Sequence, residues 1–275
     1  MASLFFRRIQ HDFGSKTVLG KTGNLDGNAV LDIILSQPRT AYFIAEKIYR
    51  FLVNETVDSE KVKWLADRFY KNDYSIELLL DDIFMSEWLY EEKNIGSKIK
   101  SPIELLAGIQ RMIPMKLENN ESLMLIQRLL GQVLFYPPNV AGWPGGRAWI
   151  DSSTLMVRLR LPQLLNDNDE FNLAPKSDDD QMMGREDGGL PQLTIASKVK
   201  GMRTINANLD WKHLHQYLSA TERSKLENNI AGVLLQTNRS VSAALVRSYA
   251  DESDRESFIE SVTLQYMSTP EYQLC

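Results

Sequence analysis

The sequence predicts an all-α protein: a multi-helix orthogonal bundle with a proline-, glycine- and tryptophan-rich ordered loop and at most a short β-hairpin. Three observations carry this reading. Apolar residues recur at helical spacing over most of the chain from Gly27 onward, capping residues stand just ahead of those runs, and no alternating run is long enough to build a sheet. Residues 3 to 20 or 192 to 206 leave room for a short hairpin.

Asp26 is placed to make a turn or to cap a helix from Gly27, with Asn28 as the alternative cap. Over 38 to 53, Ala41, Ile44, Ala45, Ile48 and Leu52 share one face of a helix, and Pro38 suits its first turn because the missing N–H has no partner there. Asp58 precedes Val62, Leu65, Ala66 and Phe69, and Ser75 precedes Ile76, Leu79, Leu80, Ile83 and Phe84. Ser101-Pro102-Ile103-Glu104 reads as a capping box with proline at the first helical position, opening a helix that Pro114 stops near Ile113. A helix over 121 to 130 should end at Gly131, whose lack of Cβ suits a left-handed cap. Asp151 is positioned to cap a helix over 152 to 165, which Pro162 kinks or ends. Further helices are expected over 211 to 219 behind Asp210, 222 to 236 behind Thr221, 241 to 250 behind Ser240, and 254 to 267 behind a second capping box of Ser253 with Glu256. The tail from Ser268 reads as extended.

These elements are expected to form one domain: a helical body over 1–165, an acidic excursion or linker over 166–208, and C-terminal helices over 209–275 packing on the body. Hydrophobic residues at 43% and charged residues at 24% match ordinary globular chains and exclude collagen-like, coiled-coil and wholly disordered classes. The net charge of −5 is concentrated: residues 166 to 190 hold eight acids and two bases, so that segment carries −6 and leaves the remainder at +1. A near-neutral body lacks the basic footprint that phosphate binding requires, so nucleic acid is not an expected partner. The only cysteine is Cys275, which excludes an intrachain disulfide and a cysteine-based metal cage. No apolar run approaches the ~20 residues that span a bilayer. Leu4-Phe5-Phe6, followed by Arg7 and Arg8, is shorter than the ~7 to 15 apolar residues of a signal peptide. The expected compartment is the cytoplasm, or the periplasm if an export signal lies upstream.

Familiar chemistries fail on spacing. GSKTVLGKT, from Gly14 to Thr22, places five residues between its first glycine and the Gly-Lys pair, where a phosphate loop needs four. Asn24-Leu25-Asp26-Gly27 matches the middle of a calcium loop but would put Ile33 where the bidentate Glu belongs. His213 and His215 point about 200° apart on a helix and cannot share a metal. There is no HExxH and no G-x-S-x-G elbow, and no metal or cofactor is expected.

Residues 135 to 150, FYPPNVAGWPGGRAWI, break the helical pattern with three prolines and three glycines. The segment concentrates what recognition uses: Asn139, Trp143, Arg147 and Trp149, in which the indoles stack on a sugar or aromatic ring and Arg147 holds a carboxylate or phosphate. The competing reading is structural, with both tryptophans plugging a gap between helices.

PPNVAGWPGGRAWID, with Lys100-Ser101-Pro102-Ile103-Glu104, Leu130-Gly131-Gln132 and Arg158, resembles the bacterial family catalogued as domain of unknown function 1800. His11-Asp12 with Lys16, Gly20 and Gly23, and the terminal STPEYQL, resemble the same pattern. The resemblance implies no established activity, substrate or catalytic residue. It also implies that members are longer on the N-terminal side and often neighbour a sulfatase-like family carrying export signals, so this chain resembles a C-terminal portion.

Two functions follow as expectations. The first is a non-catalytic binding or assembly module that presents the loop to a glycan, peptide or protein partner, with Asn139, Trp143, Arg147, Trp149, Arg158 and Lys100 as binding residues. The second is a hydrolase of exported polymers such as glycans, with Asp151, Glu104 and His11 as acid/base candidates and Lys100, Arg147 or Arg158 stabilising anionic charge. The hydrolase reading predicts convergence in one cleft and a perturbed carboxyl pKa. Against it stand the capping roles of Ser101 and Glu104 and the ability of Arg158 to bond loop carbonyls.

Overall fold

A computed structural model describes residues 11–118, 120–167, 205–237 and 241–275. The protein is mainly α: eleven α-helices and two small two-stranded antiparallel sheets lie among the described residues. They fall into two compact units, Met1–Asn94 and Ile95–Cys275.

Among its described residues the first unit opens with a hairpin, β1 (Lys16–Val18) paired antiparallel with β2 (Lys21–Gly23). Leu19 (φ 47°) and Gly20 (φ 80°) form its turn, the paired left-handed conformation that a two-residue hairpin demands. The glycine and lysine that imitate a phosphate loop therefore belong to a reverse turn and a strand. Four helices follow: α1 (Gly27–Leu35), α2 (Pro38–Leu52), α3 (Ser59–Lys71) and α4 (Ile76–Phe84). Asp26, Asp58 and Ser75 accept first-turn amides as expected. The buried stripe of α2 is Ala41, Ala45 and Tyr49, with Ile44, Ile48 and Leu52 on its flank. The small side chains let α2 lie close to Val62, Leu65, Ala66 and Phe69 of α3. In α4 only Leu79 and Ile83 are buried, whereas Ile76 and Phe84 are exposed.

The second unit holds α5 (Pro102–Met112), α6 (Asn120–Leu130), α7 (Ser152–Asp167), α8 (Lys212–Leu218), α9 (Arg223–Leu234), α10 (Ala243–Ser248) and α11 (Arg255–Met267). Its core gathers Leu105 and Ile109 of α5, Ile126 and Leu130 of α6, Val157 and Leu161 of α7, and Leu226 and Ile230 of α9. α11 is buried over most of its circumference, through Phe258, Ile259, Val262, Thr263, Leu264, Tyr266 and Met267, and its polar residues Glu256, Ser257, Glu260, Ser261 and Gln265 take the less buried side.

Several expectations are corrected here. α7 continues through Pro162 to Asp167, so the proline does not end it. α11 is capped by Asp254, whose carboxylate accepts from Ser257 N at 2.9 Å, and not by Ser253, which donates its own amide to Asp251. α9 starts at Arg223 with no side-chain cap from Thr221 or Glu222. A second sheet, β3 (Met115–Leu117) with β4 (Ala207–Leu209), joins segments 90 residues apart, and neither strand stands out in the sequence. The tail is less extended than expected, because Glu271–Gln273 form a 3-10 turn before Leu274 bridges Ile99. The expected excursion over 166–208, the hairpin over 192–206 and the Ser240 cap lie largely or wholly outside the described residues.

Candidate functional site

The aromatic loop hangs between two well-anchored helices. α6 ends at Gly131 (φ 87°), and the Gln127 carboxamide turns the chain by accepting Leu134 N at 2.9 Å. Phe135 follows with φ 61°, a left-handed conformation that is uncommon for an aromatic residue, and it is 95% exposed. Asn139 accepts the Ala141 amide at 2.8 Å through its side chain, closing an Asx turn with Val140 at its exposed tip. Gly142, Gly145 and Gly146 all have positive φ, and a 3-10 turn over Gly146–Trp149 completes the loop.

The two indoles differ. Trp149 is buried, at 8% exposure, and its carbonyl accepts the Thr154 hydroxyl at 3.0 Å, which ties the loop to α7. Trp143 is half-buried, and Arg147 is exposed. The structural role expected for the pair thus falls to Trp149, while Trp143, Arg147, Phe135 and Val140 present surface.

The proposed acid/base residues sit apart in function. Asp151 caps α7, accepting Ser153 N and Thr154 N at 2.9 Å each and the Ser153 hydroxyl at 2.6 Å. Glu104 closes the capping box of α5: its carboxylate accepts Ser101 N at 2.6 Å, while the Ser101 hydroxyl accepts Glu104 N at 3.2 Å. Partial burial pushes the Glu104 carboxyl up, but the Ser101 amide, Lys98 at 3.6 Å and the Ser101 hydroxyl together hold it below the usual carboxylate range. That direction is opposite to the raised value a general acid requires. His11 belongs to the first unit, where its ring meets Phe13 edge-on at 4.9 Å.

Lys100 and Arg158 are brought together. Lys100 N donates to Gln273 O at 2.8 Å, its ammonium donates to Tyr272 O at 2.6 Å and lies 3.9 Å from the Tyr272 ring centroid, and its carbonyl accepts Arg158 Nη1 at 3.0 Å. Burial lowers the Lys100 ammonium, opposed by Cys275 and Glu104, and lowers the Arg158 guanidinium to about 10. Sequence reasoning did not single out Tyr272 or Gln273 as site residues. They reach Lys100 only because Lys98 and Lys100 pair with Cys275 and Gln273 across 175 residues, a contact no local pattern announces.

The family model described as "Protein of unknown function (DUF1800)" matches residues 2–274. The chain belongs to the DUF1800 family. No curated protein and no solved structure matches this DUF1800 chain. Among its described residues no group of three ligating side chains is placed to hold a metal ion, and no helix is long and apolar enough to cross a membrane. An open polar groove of about 590 Å³, lined by Glu118, Asn166, Asn206, Ala207, Asn208, Leu209 and Trp211, includes none of the loop residues.

Proposed function

We propose that this chain is a non-catalytic binding module that uses the 135–147 segment to dock a protein partner. The observation that supports the reading most directly is the division of labour within the loop. Trp149 and Asp151 hold one end rigidly to α7, while Phe135, Val140 and Arg147 stand in solvent. Large apolar side chains on a preorganised loop, beside a guanidinium, are the composition of an interface centre, where aromatic and arginine residues are enriched. The left-handed Phe135 strengthens the case, because strain retained at an exposed aromatic position favours a role outside folding.

Catalysis receives no comparable support, since Glu104 and Asp151 both act as helix caps. The test is binding to immobilised peptide and glycan panels by the wild-type chain and by Trp143→Ala and Arg147→Ala, with circular dichroism to verify folding. Peptide binding lost in both variants supports the proposal. Folded variants that bind as the wild type does overturn it, and binding confined to glycans replaces the protein partner with a carbohydrate.

A further inference from the structure

The open groove beside the β3–β4 sheet is walled by amides, one acid and one indole. Side chains alternate across a strand, so Ala207 and Leu209 turn with Leu117 and Met115 toward the core, while Asn206 and Asn208 share the opposite face. Glu118 faces Asn206 across the ladder, and the Asn206 carboxamide donates to its carboxylate at 2.7 Å. That bond fixes both groups and leaves the Asn206 carbonyl oxygen and the second Glu118 oxygen as acceptors. Asn166, on the last turn of α7, is held in the same way by donating to Asp167 at 2.9 Å. Trp211 is half-buried and lies nearly parallel to the His215 ring, with planes 16° and centroids 6.5 Å apart, which braces the indole at the groove wall. Among the described residues, neither the Asn208 carboxamide nor the Trp211 N–H has a hydrogen-bond partner.

The lining selects a class of ligand. No lysine, arginine or histidine belongs to it, and Lys116, the cross-strand partner of Asn208, is exposed outside it, so an anion meets the Glu118 charge without a counter-charge. A lipid or other apolar ligand needs predominantly apolar walls, and these are mainly amide and carboxylate. A neutral sugar fits both halves of the surface. Its hydroxyls donate and accept at once, as carboxamides and a carboxylate require, and the apolar face of a pyranose ring packs on an indole. The space of about 590 Å³ lies within the range of small-molecule clefts.

We infer that this groove binds a neutral oligosaccharide, with Trp211 as the stacking platform and Asn166, Asn206, Asn208 and Glu118 as the groups that hold its hydroxyls. The groove shares no residue with the 135–147 loop, so this site and partner docking stand or fall separately.

The test titrates the full chain by calorimetry with maltotriose, cellotriose and chitotriose, and with trigalacturonate as the anionic counterpart. The Trp211 Nε1–H resonance, assigned with Trp211→Phe, is followed in parallel. The expected result is saturable binding of at least one neutral trisaccharide with a Kd on the order of 1 mM, with the Trp211 resonance moving along the same curve. Asn208→Ala removes a side chain that supports no contact of the fold, so it should weaken binding about tenfold at unchanged Tm. Trp143→Ala, in the aromatic loop, should bind as the wild type does. Absence of binding by all three neutral sugars at about tenfold above that Kd overturns the inference, as does trigalacturonate binding as tightly as the best of them. It is equally overturned by a Trp211 resonance that stays still while the heat saturates, or by binding that Trp143→Ala abolishes and Asn208→Ala leaves intact.

Discussion

The Glu227 carboxylate, only 3% exposed, accepts Arg247 Nε at 2.7 Å, while the arginine itself stays half in solvent. The Tyr266 hydroxyl donates to the other carboxylate oxygen at 2.9 Å, so α9, α10 and α11 meet at one acid. Truncating Arg247 to alanine removes one charged donor from a buried carboxylate and should cost about 1–3 kcal/mol, below the full value for an enclosed pair because the arginine is partly hydrated. Tyr266→Phe should cost about 1 kcal/mol. A double-mutant cycle in urea should show the two losses to be non-additive, since they share an acceptor.

Trp149 and Arg147 are two residues apart and should respond in opposite ways. Trp149→Ala removes a buried indole that anchors the loop and should cost about 3–5 kcal/mol. Arg147→Ala removes an exposed side chain and should lie within about 0.5 kcal/mol of wild type. Chemical denaturation of the two variants checks the assignment of one to the frame and the other to the surface.

Phe135→Gly should stabilise the chain by up to about 1 kcal/mol, because glycine takes the left-handed backbone without Cβ strain and the lost ring is solvent-exposed. The same variant should bind the proposed partner more weakly. A gain in Tm with undiminished binding would remove Phe135 from the docking surface.

Gly96 has φ 62°, and a Cβ placed there would lie 2.1 Å from Thr237 Cγ2. Gly96→Ala should therefore cost about 2–4 kcal/mol, combining backbone strain with overpacking. Thr237→Ser deletes the offending methyl group and should recover the steric part while leaving the strain. By contrast Gly20→Ala meets no atom within 4 Å and should show the strain alone.

Acid should weaken the caps. The Lys61 amide lowers the Asp58 carboxyl, and the Ser257 amide lowers that of Asp254, each opposed by slight desolvation. A carboxyl depressed on folding adds stability that is complete above its unfolded value of about 4 and disappears as pH falls through the folded value. Unfolding midpoints measured from pH 6 to 2 should fall over that lower range. Asp58→Asn, which keeps the cap without the charge, should fall less steeply.

Much of the helical skeleton was legible because it is local. The Ser101–Glu104 box, the Asp58 and Ser75 caps and the stop at Gly131 each depend on residues within one turn, and each appears where the sequence places it. Tyr49 is not legible as a core residue, because a tyrosine at i+8 from Ala41 is amphipathic and its burial is decided by partners on other helices. β3 and β4 are three residues each and gain their pairing only from one another. The site shows the same divide. Composition singled out the aromatic loop and the family resemblance singled out Lys100 and Arg158, whereas the place of Gln273 beside Lys100 depends on a pairing between segments far apart in the chain. Burial, which separates Trp149 from Trp143, depends on neighbours distant in the chain.

The antiparallel pairing of Lys98 and Lys100 with Cys275 and Gln273 sets a segment near the start of the second unit beside its last residues. That unit is in effect a ring with a gap one short linker would close. A circular permutant joining residue 275 to residue 95 and reopened in the exposed turn at Val140 and Ala141 would keep every described helix and both described strands of the unit intact. Its order of synthesis would then begin with residues 141–150 and α7 and finish with residues 135–140, so that the two halves of the aromatic loop would become the two free ends.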